Sequence, residues 1–298
     1  MINNEICDIN KKNDIKKCAP GIKYEEGSCF TLDQLIRIAK NYNLKFNDKI
    51  KIVNNKRLLL KSLINNISKN YNCKSQDCWL DIDFIKQSGN DIKNNTLRPY
   101  GPKKSKKWLS TTDINKSMKQ YEYKFNDFKY LGTLPYDFED IDYFDIRKYN
   151  FVKDFKKGIK KYGMVINLDT HDMSGSHWVS LYFNFDNKEI YFFDSFGKKP
   201  KKKILNFMKK ITNKFDNKIN KKYYKKYKNI DKFSKKIYEK YNIKFEFNKI
   251  QHQFKNTECG VYSMNFIIRL LNNESFINIT ENITNDDIMN SCRNTYFR

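Results

Sequence analysis

The chain has 298 residues, 39% of them apolar, with 23 Phe and 20 Tyr, enough for a substantial core, which excludes a disordered chain. Its net charge of +24 suits an anionic partner such as nucleic acid, but it also fits lysines favoured by AT-rich codons and carried on solvated faces. No apolar run approaches the ~18 residues that span a bilayer, and the polar start "MINNEICDINKK" reads as neither a signal peptide nor a myristoylation site.

In chain order, the first clear element is a helix over 31–42, "TLDQLIRIAKNY". Thr31 is its N-cap, and Leu32, Leu35, Ile36, Ile38 and Ala39 form its apolar face. A second helix is expected over 57–69. Residues 1–99 therefore read as a small, mostly helical arm with no obvious chemistry. The stretch 98–107, "RPYGPKKSKK", is a loop or linker, and residues 100–298 form a second, larger domain. A helix capped near Thr112 follows, then strands at about 163–168, 177–185 and 189–194. The lysine-dense segment 198–240 reads as two helices broken at 229–234. A strand over 243–250 precedes a helix from about 259 to 272. The mixture of strands and helices predicts an α+β class.

The seven cysteines, with no export signal, read as free thiols in a reducing compartment. Cys73 and Cys78 lack the second close pair or nearby His of a zinc site, so no metal is expected.

His177 opens one strand and Asp194 closes the next. The polar loop between them makes a hairpin. A four-residue loop puts Asp194 across from Val179, and a two-residue loop puts it across from Leu181. Either way His177 and Asp194 share a face. An Asp beside His Nδ1 fixes the tautomer and stabilises an imidazolium. Cys259 starts an apolar helix, where free N–H groups and the helix dipole favour a thiolate. Gly260 is expected to leave the backbone open to substrate. Gln253, six residues before Cys259, is placed to donate to an oxyanion together with the Cys259 backbone N–H. His177, Asp194, Gln253 and Cys259, in that order and spacing, describe a thiol protease. His252 and His171 are weaker candidates for the base, since only His177 has a carboxylate at sensible geometry.

This pattern resembles the SUMO-protease-like and adenovirus-protease-like clan of cysteine peptidases. The likeness rests on His177-Trp178, Asp194-Ser195 seventeen residues on, and the Gln253 to Cys259-Gly260 spacing. Trp108-Leu109 with Asp113-Ile114 resembles a segment near the clan's cleft, with Ser110 in place of the usual Asn. Within the clan the chain is most similar to the maturation proteases of large cytoplasmic DNA viruses, the African swine fever virus protease-like group. The resemblance implies a papain-like core: a central mixed sheet flanked by helices, with the nucleophile at a helix N-terminus. It also implies a substrate cleft at Trp108, Trp178 and Gly260, and cleavage of viral capsid or core precursors after Gly-Gly or Ala-Gly in the host cytoplasm and virion. No cofactor is required, and the resemblance permits DNA as an activator. Two other readings stand beside this one. A SUMO or ubiquitin-like deconjugase would use the same chemistry. A nucleic-acid-binding protein would use the basic 198–240 region, with Tyr223, Tyr224 and Tyr227 stacking on bases.

Overall fold

The computed structural model describes residues 6–7, 17–219, 221–227 and 229–298. The chain divides into two compact units, Ile9–Gly101 with Asn294–Arg298, and Met1–Asp8 with Pro102–Arg293. The division near residue 100 falls where the proline- and lysine-rich stretch lies. The assignment of the first and last few residues to the opposite unit has no counterpart in the sequence pattern.

In the smaller unit, helix α1 spans Leu32–Lys45 and helix α2 spans Lys56–Asn70. Thr31 caps α1 in a reciprocal box: its hydroxyl accepts from the Gln34 N–H, and the Gln34 side chain accepts from the Thr31 N–H. Asn55 caps α2 through the Leu58 N–H. Leu35, Ile38 and Tyr42 of α1 meet Leu59, Leu63 and Ile67 of α2 in one core that includes Phe30, Trp79 and Phe84. Arg37 joins Asp33 and Asp91, and the Arg37 guanidinium hydrogen bond holds the Asp91 carboxyl well below the usual carboxylate range.

Two disulfides, Cys18–Cys29 and Cys73–Cys78, staple this small core. A third, Cys7–Cys292, lies in the larger unit. The free-thiol expectation is therefore corrected: six of the seven cysteines pair, and Cys259 alone is free. A cysteine count does not reveal partners 285 positions apart in sequence.

The larger unit is built on a five-stranded mixed sheet, preceded by helix α3 (Thr111–Lys119). The strands are β1 (Phe128–Leu134), β2 (Lys161–Asn167), β3 (Trp178–Asn184), β4 (Glu189–Phe193) and β5 (Lys244–Phe247), adjacent in that order. The outer pairs β1–β2 and β4–β5 are parallel, and the inner pairs are antiparallel. One face carries Met164, Ile166, Leu181, Phe183, Ile190 and Phe245, which join the apolar sides of α4 (Lys202–Phe215) and α5 (Ile230–Tyr241) in the main core. The other face packs α6 (Cys259–Leu271), whose thirteen residues are all buried. Phe193 stacks on Phe266 there, and Gly163 leaves room for Ile267. Helix α7 (Asp286–Tyr296) follows near the C-terminus.

Several boundaries differ from expectation. Ser110, not Thr112, caps α3, in a box with Asp113. The segment 198–240 holds a short extra helix, Lys221–Lys226, and Asn229 caps α5 rather than breaking a helix. Tyr223, Tyr224 and Tyr227 pack against the core instead of standing free for bases. The Tyr224 hydroxyl donates to the Ile219 carbonyl.

Candidate active site

The hairpin has the four-residue loop. The Ser180–Phe193 register puts Asp194 one step further, across from Val179. His177 and Asp194 are thus diagonal neighbours, and their side chains meet at 2.7 Å. The contact is through Nε2, not the expected Nδ1. The Cys259 side chain also acts on this imidazole and raises its pKa, and Nδ1 is the ring nitrogen that Asp194 does not engage. Burial opposes a charge on this ring, but the Asp194 hydrogen bond and the Cys259 side chain outweigh it and hold the His177 pKa up at about 9. Phe196 stacks on the imidazole, with ring centroids 4.5 Å apart.

Each member is fixed by its surroundings. Before His177, the Asn167 side chain accepts from the Asp169 and Ser176 N–H groups and closes the connecting loop. The Leu168 N–H then donates to the His177 carbonyl. Asp194 is clamped by Asn248, which accepts from its N–H and donates to its carbonyl. The Asp194 carboxylate also accepts from the Phe196 N–H. The turn closes at Gly197 with φ +70°, where a Cβ would lie 2.8 Å from the Ile250 carbonyl carbon.

The segment before α6 is pinned equally well. The Ser195 carbonyl accepts from the His252 and Gln253 N–H groups. The Ser195 hydroxyl donates to Gln253 Oε1, and Gln253 Nε2 donates to the Lys255 carbonyl. A primary amide carries two N–H groups, so one remains for a ligand. The Asp286 carboxylate accepts from the Phe254 and Lys255 N–H groups. Glu258, directly before the nucleophile candidate, is buried and pairs with the fully buried Arg293 at 2.8 Å. Sequence reasoning missed Asn248, Phe196, Glu258 and Arg293, none of which sits in a motif.

The other histidines are placed elsewhere. His252 is buried: Nε2 lies 3.1 Å from the Thr280 carbonyl, and Nδ1 accepts from the Thr284 N–H. Burial lowers its pKa, so the ring is neutral. His171 is largely exposed and bonds Asp137 at 2.6 Å, a contact that raises its pKa.

A cleft of about 700 Å³ is lined by Trp108, Trp178, Leu109, Tyr143, Met173 and His171, among others. Trp108 and Trp178 are thus brought together there, and the Trp178 indole donates to the Leu109 carbonyl. Gly260 is not part of that lining. A Cβ on it would lie 3.1 Å from Leu109, 3.2 Å from Trp178 and 3.3 Å from Ile114. The absence of a side chain on Gly260 lets α6 approach Leu109 and Trp178 of the cleft wall closely.

Residues 156–297 match the Ulp1 protease family, C-terminal catalytic domain. A protein of Acanthamoeba polyphaga mimivirus described as a thiol protease is 33% identical over 292 residues, covering 92% of this chain and 90% of its own length. A SUMO-1 cysteine protease of African swine fever virus is 24% identical over 148 residues, covering 49% of this chain and 47% of its own. The crystal structure of the African swine fever virus protease superposes with a TM-score of 0.58 at 20% identity, covering 85% of this chain and 93% of that one. It shares the fold.

Proposed function

Since the chain belongs to the Ulp1 family of cysteine proteases, we propose that it is an endopeptidase that cuts viral structural precursors after small residues, of Gly-Gly-X or Ala-Gly-X type, during virion maturation in the host cytoplasm. The observation that carries the chemistry is the 2.7 Å contact of His177 with Asp194, on an imidazole whose pKa the Cys259 side chain also raises. With the imidazole of His177 protonated, its pKa being held up at about 9, Sγ attacks the scissile carbonyl carbon as the thiolate of an ion pair with that ring. The oxyanion is received by the Cys259 N–H and the remaining Gln253 amide N–H. Collapse breaks the C–N bond, and the imidazolium returns its proton to the leaving amine. Water, deprotonated by His177, then attacks the thioester and releases the acid product. Asp194 holds the ring and its charge throughout.

The viral origin of the relatives supports precursor processing. The name of the African swine fever virus relative, a SUMO-1 cysteine protease, supports the second reading, deconjugation of a ubiquitin-like tail. DNA as an activator fits the exposed lysines Lys198, Lys199, Lys202 and Lys210 on and before α4, although Lys210 is already paired with Glu139. The test is cleavage of Gly-Gly-X, Ala-Gly-X and glycine-free peptides, mapped by mass spectrometry for the wild type and Cys259→Ala, with and without DNA. Cuts after the second small residue, absent in the variant, are expected. Rapid Cys259 labelling by a ubiquitin-like probe without peptide cleavage would favour deconjugation.

A further inference from the structure

A second cavity, of about 460 Å³, lies at the far end of the same sheet. It is lined from the C-terminal end of α6, at Leu270 and Asn273. Cys259 sits at the other end of that thirteen-residue helix, roughly 18 Å away at 1.5 Å per residue.

The cavity floor is an unusual piece of sheet. Registers across β2 to β5 align Gly163, Tyr182, Tyr191 and Glu246 in one row, and Lys161, Asn184, Glu189 and Lys244 in the next row on the same face. The opposite face at these positions is apolar, with Tyr162, Phe183, Ile190 and Phe245. Nothing in core packing requires a carboxylate at Glu246. Its neighbours are already matched: Lys244 with Glu189 at 3.2 Å, Lys161 with Asp127 at 3.0 Å, and Glu274 with Arg269 at 2.5 Å. Among the described residues the Glu246 carboxylate has no hydrogen bond or ion pair, its backbone alone pairing with β4. Burial raises its pKa, with Lys244 pulling it down and Glu189 pushing it up. Aromatic rings share the walls with polar Asn184, Asn187, Asn273 and Ser275: Tyr182, Tyr191 and Phe276 are buried, with Tyr191 stacked on Phe276, and Tyr238 is 54% exposed.

Glu189 and Glu274 of the lining are neutralised by Lys244 and Arg269, so Glu246 is the cavity carboxylate left without an ion-pair partner, and such a carboxylate beside tyrosine rings is a receptor for an organic cation. The carboxylate supplies a charge-assisted hydrogen bond, and the rings supply cation–π attraction. The negative end of the α6 dipole adds to both. We propose that this cavity is an exosite for a lysine or arginine side chain of a protein substrate, held by Glu246 and the rings of Tyr182, Tyr191 and Tyr238. The word substrate rests on the protease reading, whereas the cation site does not.

The test is binding, so its failure is separable from a failure of cleavage. N-acetyl-arginine amide and N-acetyl-lysine amide are titrated into the full chain with ¹³C-labelled tyrosine, and N-acetyl-citrulline amide serves as the neutral isostere of arginine. Saturable shifts of the Tyr182, Tyr191 and Tyr238 ring signals with arginine or lysine, but not with citrulline, are expected. Glu246→Gln should weaken the response at least tenfold while leaving cleavage of a short neutral peptide unchanged. Tyr238→Ala, which removes a largely exposed ring without touching the core, should weaken it too. An equal response to citrulline, no response to either cation, or an unaltered response in Glu246→Gln would overturn the proposal.

Discussion

Asp194 meets His177 at Nε2, 2.7 Å away, so the nitrogen nearer the backbone is the one left for Cys259. The carboxylate therefore holds the ring from its outer edge and leaves Nδ1, on the side of the main chain, unengaged by Asp194. This arrangement sets the first prediction. Asp194→Asn should lower kcat by ~10²–10⁴, the scale seen when a triad carboxylate is neutralised. The His177 pKa of about 9 places the alkaline limb of the pH–rate profile near that value, as a property of the coupled pair. Asp194→Asn removes a contact that raises this pKa, so the limb should move to lower pH. The linkage has a matching sign: the folded pKa lies above the ordinary 6.5. The contribution of His177 to stability is thus complete below about 6.5 and lost as pH rises through about 9. An alkaline limb unmoved in the variant would contradict the assignment.

Gln253→Ala should lower kcat by about 10²–10³ with little change in KM, because the donor acts on charge that develops only in the transition state. Gln253 also ties Ser195 to Lys255, so the thermal midpoint should be measured alongside. A rise in KM at constant kcat would assign Gln253 to substrate binding instead.

Arg293→Leu leaves Glu258 charged and unpaired in a site where both partners are buried. Breaking such a pair costs about 3–5 kcal/mol, read as a fall in the urea midpoint. Glu258 precedes Cys259 directly, so activity should fall at temperatures where the variant is still folded.

Gly197→Ala places a Cβ 2.8 Å from backbone at φ +70°. The Asp194–Gly197 turn must shift, with a stability loss of about 1–3 kcal/mol. The His177–Phe196 stack depends on that turn, so kcat should fall as well. A variant with wild-type kinetics would show that the turn absorbs the change.

Thiol titration in denaturant without reductant should find one reactive cysteine in the wild type, and none in Cys259→Ala. Finding seven would contradict the disulfide pairing.

Much of the site was legible because local periodicity fixed it. A hairpin with alternating faces forces His177 and Asp194 to one side whichever loop joins the strands. An apolar run opening at Cys259-Gly260 forces a buried helix start. What stayed hidden depends on tertiary approach. Asn248 clamps Asp194 from just after β5, 54 residues on, and Arg293 reaches Glu258 from α7. The choice of imidazole nitrogen follows from where the backbone enters β3, which no pattern encodes. Strand β1 went unread because its register shifts between Tyr130 and Gly132, spoiling the alternation. The close approach of Trp178 and Leu109 to Gly260 was equally hidden, because both lie far from it in sequence.

The Cys7–Cys292 link turns most of the polypeptide into a covalent ring. A ribosome must deliver residue 292 before that ring can close, so the link cannot form while the residues between its two cysteines are still being made. Once it is closed, a single cut anywhere in the loop opens the ring without parting its ends. A nicked molecule, including one nicked by its own kind, would migrate as one piece until reductant is added.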